Sequence, residues 1–120
     1  MSLRNDQVTF TQHLIHLIDH IFEQGDEVTF GEVARTQEQQ KIYFDTGRSK
    51  TMLSEHINRC AADLFVFRNG RLLTHEEMVP YGKFWEDLDE KNRWGGSWRG
   101  QVECGKSKFI DTPHFERRTV

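Results

Sequence analysis

Little in this 120-residue chain suits a nucleic-acid or membrane protein. It has no Lys/Arg-rich block, and its formal net charge is -3, so the electrostatic footprint of a nucleic-acid binder is missing. No apolar run approaches the roughly 20 residues that cross a bilayer. The opening stretch, MSLRNDQVTF, lacks the apolar core and small-residue cleavage site of a signal peptide. The expectation is synthesis in the cytoplasm with no transmembrane segment. Cys60 and Cys104 are too few for a disulfide framework, and a cytoplasmic setting favours free thiols. Internal repeats and low-complexity stretches are absent.

What remains suits one compact domain over residues 1–120, with nine Phe and three Trp to fill a core. Residues 6–24 place Val8, Phe10, Leu14, Ile15, Leu17, Ile18, Ile21 and Phe22 at near-helical spacing, with Gly25 as the stop. EVTFGEVAR reads as a short strand. Thr36 is a helix cap ahead of QEQQKIYF. The polar stretch 45–55 reads as a long ordered loop, of the kind that carries function in small domains. ADLFVFRNGRLLT is a hairpin turning at Asn69-Gly70. A third helix is expected over 75–91, with Phe84, Trp85 and Leu88 inward. WGGSWRG then reads as a loop, and a last strand lies near HFERR. This order predicts an α+β fold, helices on a short, mostly antiparallel sheet.

Asp63 is the most informative residue. Strand alternation puts it on one face with Phe65 and Phe67, and an ionised carboxylate on an apolar face needs compensation, for which a cation suffices. His56 lies seven positions earlier, near enough for a bend to bring it alongside. His114 is the third candidate, with Phe115 turned into the core. Asp111 stands three positions before His114, and a bend at Thr112-Pro113 can turn it toward the same site. Two His, one carboxylate and a second carboxylate nearby match a catalytic zinc site with an open position and a base. Weighed against this, a lone His or Asp in a small domain is usually a surface or hydrogen-bonded residue.

Four blocks resemble one family. SEHINRCAAD, from Ser54 to Asp63, is similar to the S-x-H-x-x-G-x-A-x-D signature of the D-alanyl-D-alanine metallopeptidases. These include bacterial D,D-carboxypeptidases and dipeptidases, and phage endolysins that cut the L-alanyl-D-glutamate bond. DTPHFE resembles the family's acid-x-x-His pattern, ARTQEQQKIYFDTGRSKT its Arg-Thr…Gln…Gly-x-Ser-Lys-Thr stretch, and WGGSW its W-G-G-D-W element.

The resemblance implies zinc held by His56, Asp63 and His114, with Asp111 as the acid/base. It implies Arg35 at the oxyanion, and Ser54, Gln40, Ser49 and Trp94 as substrate-binding residues. Trp94 can equally plug the core. Two positions depart from the pattern: Arg59 stands for Gly and Ser97 for Asp. The implied function is hydrolysis of peptidoglycan stem peptides, of L-alanyl-D-glutamate endopeptidase or D,D-carboxypeptidase type. A cytoplasmic D-alanyl-D-alanine dipeptidase is the nearest enzymatic alternative. The opening stretch, without signal-peptide features, suits a phage or prophage lysis enzyme released to act at the cell wall, and a monomer is expected. An inactive metal-bearing module that binds wall or virion is the rival, favoured by Arg59 and Ser97 and opposed by an intact Asp111. Elsewhere, His13, His16 and His20 share a helical face and read as a boundary stripe. Cys60 reads as a small buried hydrophobe, and the charges of Glu76, Glu77 and 86–91 as a solvated helix face.

Overall fold

The computed structural model describes residues 2–48, 54–97 and 110–119. Three helices and five strands follow the order α1 (Leu3–Glu23), β1 (Glu27–Phe30), α2 (Gln37–Asp45), β2 (Ala61–Arg68), β3 (Arg71–Leu72), α3 (His75–Leu88), β4 (Asn92–Trp94) and β5 (His114–Arg117). The fold is α+β.

Local chemistry sets the helix ends. Ser2 and Thr36 accept the Asn5 and Gln39 amides at the starts of α1 and α2. Thr74 and Glu77 form a reciprocal capping box on α3. Within α1 the buried apolar positions are Phe10, Leu14, Leu17 and Ile21, spaced to face one side. Val8, Ile15 and Phe22, apolar in the same pattern, lie on the exposed side.

The sheet runs β1-β2-β5-β4, with every pair antiparallel, and β3 folds back on the far end of β2. Asn69 (φ 52) and Gly70 (φ 75) both take the left-handed conformation, as the tight hairpin turn demands. One face of the sheet, carrying Ala62, Leu64, Val66 and Phe115, packs on Phe10, Leu14, Leu17 and Ile21 of α1 and on Met78, Tyr81 and Trp85 of α3. Each buried Leu, Ile, Val, Met or Phe among them contributes about 1.5–3 kcal/mol. Two ionic links close the periphery. Arg117 reaches Asp6 at 3.0 Å, and Arg68 pairs through two bonds with Asp26, which also accepts the Tyr81 hydroxyl.

Three expectations change. β4 takes Asn92–Trp94, ending on the first residue of the expected loop. The face carrying Asp63, Phe65 and Phe67 is not the core face: Phe65 is exposed, whereas Leu64 and Val66 are buried. β2 is apolar on both sides, so alternation alone does not say which side is inner. Glu86 is not solvated either. It is buried and accepts from the Trp94 amide at 3.1 Å and the Ser97 hydroxyl at 2.9 Å.

Candidate metal centre

The site occupies the sheet face turned away from α1 and α3. Asp63 on β2 and His114 on β5 are direct cross-strand partners, so their side chains stand together on that face. His56 arrives from the turn before β2. Backbone bonds fix this turn: Ile57 N–H to Ser54 O, Arg59 N–H to His56 O, and Cys60 N–H to Glu55 O. The Ser54 hydroxyl accepts the His56 amide at 3.2 Å. Glu55, also buried, accepts from the Thr119 amide and hydroxyl and from the Asn58 side chain, holding the turn against the last described residues.

Arg59 sits in this turn with φ 57, the left-handed region where glycine is at ease. The glycine of the resembling signature therefore has a conformational reason, and Arg59 adopts the same backbone under strain. Arg59→Gly is expected to add up to about 1 kcal/mol of stability, because relief of a ~1–2 kcal/mol strain is partly offset by glycine's freer unfolded chain. A shift of the urea midpoint at unchanged slope measures it. A lower midpoint would contradict the strain.

Among the described residues, His56, Asp63 and His114 are the one set of three metal-ligating groups whose ligand atoms converge, all within 4.8 Å of one another. His56 Nε2 and His114 Nδ1 each lie 3.3 Å from Asp63 Oδ1. Ligands bound at about 2.0–2.1 Å to a tetrahedral zinc stand about 3.3–3.4 Å apart, and the two separations that meet at Asp63 Oδ1 match that value. His56 Nε2 is buried and faces Asp63 Oδ1 at 3.3 Å without the geometry of a hydrogen bond, so a cation between the two would satisfy both. The opposite ring nitrogens are engaged elsewhere. His56 Nδ1 lies 3.5 Å from Val33 O, and His114 Nε2 lies 2.7 Å from Glu116 Oε1. Such outer partners orient imidazole ligands and set their tautomers.

The electrostatics describe a place that favours positive charge. Burial by itself pushes the Asp63 carboxyl up, but His114 and His56 outweigh it and hold the group well below the usual carboxylate range. Burial pushes the His114 imidazole down, and the carboxylates of Asp63 and Glu116 reverse this, raising it to about 9. Without a metal, a proton at His114 meets that demand.

Asp111 reaches the site through a turn. The His114 amide donates to Asp111 O at 3.0 Å across Thr112-Pro113, giving the bend that the proline suggests. The Asp111 carboxyl is raised chiefly by burial, opposed by the charge of His114, reinforced by that of Asp63, and opposed again by His56 and Arg35. It thus shares the field of the three converging residues without being one of them. Arg35 is tied to the His56 turn by its amide, which donates to His56 O at 3.1 Å. Its guanidinium donates to Gln40 Oε1 at 2.6 Å and Ser54 Oγ at 3.3 Å, which gathers Arg35, Gln40 and Ser54 into one cluster.

Ser49 lies outside the described residues, as do Trp98 and Cys104. Trp94 takes the core place rather than a groove. It is 3% exposed, its indole donates to Thr112 O at 2.7 Å, and its ring stacks on His75. Gly82 and Gly96 lie so close to that ring that a Cβ on either would come within about 2.2 Å of it. Ser97 donates to the buried Glu86, and an Asp in its place would set two carboxylates together. Cys60 is fully buried, and that burial pushes its thiol to about 12. Of the histidine stripe, His13 bonds Asn92 and His20 stacks on Phe84 at 4.1 Å. Sequence reasoning missed Glu116 and Glu32, whose side chains brace His114 and Arg35. The only signal for Glu116 was its i+2 position from His114.

No protein-family model matches the chain. An L-alanyl-D-glutamate peptidase of Listeria phage A118 is 32% identical over 109 residues, an alignment that takes in 83% of this chain and 34% of that protein. The chain thus spans about a third of the length of this relative. Among solved structures, the Serratia marcescens L-Ala D-Glu endopeptidase ChiX superposes with a TM-score of 0.55 at 22% identity, covering 77% of this chain and 67% of that one. The second likeness is one of fold. No described helix is long and apolar enough to cross a membrane.

Proposed function

We propose that this chain is a zinc-dependent peptidase that hydrolyses peptidoglycan stem peptides at the bond between L-alanine and D-glutamate. The observation that carries the proposal is the convergence of His56 Nε2 and His114 Nδ1 on Asp63 Oδ1, each at 3.3 Å, with a raised carboxyl close by. The likeness to a phage L-alanyl-D-glutamate peptidase supports the substrate class and a role in lysis at the cell wall. It agrees with the motif resemblance, of which the D-alanyl-D-alanine specificity is the narrower, less supported branch.

His56, Asp63 and His114 would hold the ion. Zinc, when bound, polarises the scissile carbonyl and lowers the pKa of water. Asp111 removes the proton of the attacking water and delivers it to the leaving amine. Its burial fits both duties, since a raised carboxyl gives up a proton nearer neutral pH. Arg35 meets the charge that develops on the carbonyl oxygen. Ser54 and Gln40 steady Arg35; Gln40 is fully buried, so it acts through Arg35 rather than on the peptide, and Ser54 is the one of the two left to border it.

Digestion of purified peptidoglycan with and without chelator tests the proposal, and mass analysis of the fragments names the bond. The expected result is release of peptides with a new D-glutamate amino terminus, stopped by chelator and restored by zinc. Binding to the wall with no fragments released would favour the inactive binding module.

A further inference from the structure

The loop between β1 and α2 holds the carboxylate of Glu32, beside Arg35. Ladder bonding continues past the end of β1: Gly31 N–H donates to Asp63 O at 2.7 Å, and Asp63 N–H donates to Glu32 O at 2.8 Å. The backbone of Glu32 is thereby locked to the strand residue that would bind the metal. Its side chain turns to Arg35 and accepts the guanidinium Nε–H on Oε1. The Tyr43 hydroxyl, reaching in from α2, donates to Oε2 at 3.2 Å. The Tyr43 ring also lies under the guanidinium, 4.7 Å from centroid to Cζ.

We propose that Glu32 is a positioning residue for Arg35, with Tyr43 completing the clamp, so that the guanidinium is fixed before substrate arrives. The inference rests on the proposed function, in which Arg35 serves the oxyanion. Arginine has five donors on a long flexible stem, and its value at a site depends on how many of them are fixed beforehand. Here Glu32 takes the Nε edge, Tyr43 takes one face, and Gln40 with Ser54 takes Nη1. Among the described residues Nη2 has no partner, which leaves that nitrogen to meet a substrate oxygen. The Arg35 side chain is only 12% exposed and that of Glu32 27%, so the pair is shielded enough for orientation to matter. Glu32 joins the two halves of the site, Asp63 through its carbonyl and Arg35 through its carboxylate.

The test compares Glu32→Ala, Glu32→Gln and Tyr43→Phe in the zinc-loaded protein, on a soluble stem peptide containing the L-alanyl-D-glutamate bond. Glu32→Ala is expected to lower kcat by about 10- to 100-fold, the range seen when outer partners are removed, with KM within about threefold and zinc content unchanged. Glu32→Gln keeps an acceptor for Nε–H and should recover kcat to within about fivefold of the parent. Tyr43→Phe should cost less than Glu32→Ala. Arginine-selective 15N NMR gives a readout independent of turnover: a slowly exchanging Arg35 Nε–H in the parent and in Glu32→Gln, averaged with solvent in Glu32→Ala. An unchanged kcat in Glu32→Ala, or an Nε–H that stays protected there, would overturn the clamp. So would a Glu32→Gln variant as slow as Glu32→Ala. If the parent cleaves no stem peptide, the proposed function fails, and the NMR comparison still decides the clamp.

Discussion

Asp63→Ala is expected to lower zinc affinity by more than about 100-fold, beyond the 10–100-fold typical of an outer-shell loss, and to take peptide release below detection. Asp63 Oδ1 is the shared corner of the site, 3.3 Å from both imidazole nitrogens, so its removal leaves two neutral donors and no anionic ligand. The metal-free protein reports the same change by another route. His114 is held up at about 9 against its own burial by Asp63 and Glu116, and removing one of these lets burial count for more. The His114 imidazole should therefore titrate lower in Asp63→Ala, by NMR of the apo form. The chain itself should stay folded, because its core of α1, α3 and the opposite sheet face owes nothing to the metal. A variant that keeps zinc at parental affinity would remove Asp63 from the ligand set.

Asp111→Asn should have the next largest effect, a fall in kcat of about 10²- to 10⁴-fold, the range attributed to general acid–base catalysis. Zinc content should be unchanged, since Asp111 is not among the three converging groups. Its backbone work should also survive the exchange: the bonds to Gly95 and His114 use its amide and carbonyl, which asparagine retains. Kinetics, metal analysis and a denaturation midpoint on one preparation separate these outcomes. A variant turning over at near-parental rate would take the base role away from Asp111. One that lost its zinc would make Asp111 a ligand instead.

The sequence makes local features plain where one residue type meets one geometric need. Thr36 caps a helix, Asn69-Gly70 takes two left-handed positions, and Leu14, Leu17 and Ile21 keep helical period. Strand β4 is only three residues long and its stretch lacks alternation, so no period could announce it. Features that depend on distant partners stay silent in a single chain. Asp6 and Arg117, 111 positions apart, form an ion pair in which neither residue is unusual by itself. The site divides the same way. His56 and Asp63 stand close enough along the chain to suggest a pair, and Pro113 suggests the bend at Asp111. The docking of β5 on β2, which brings His114 opposite Asp63, belongs to the tertiary fold. The buried place of Glu86 depends likewise on Trp94 and Ser97 coming back to it.

Gly95 closes a ring of the chain. Its amide donates to His114 O at 2.7 Å, and its carbonyl receives the Asp111 amide at 3.0 Å. A Cβ at this position would fall 2.2 Å from Asp111 O and 2.9 Å from the His114 Cβ, so the junction admits only glycine. The two stems of the intervening segment are thus welded at their base, beside the proposed base and one proposed ligand. A side chain at this junction would press on Asp111 and His114 at once, so the setting of the proposed base and of one proposed ligand depends on a residue that carries no functional group of its own.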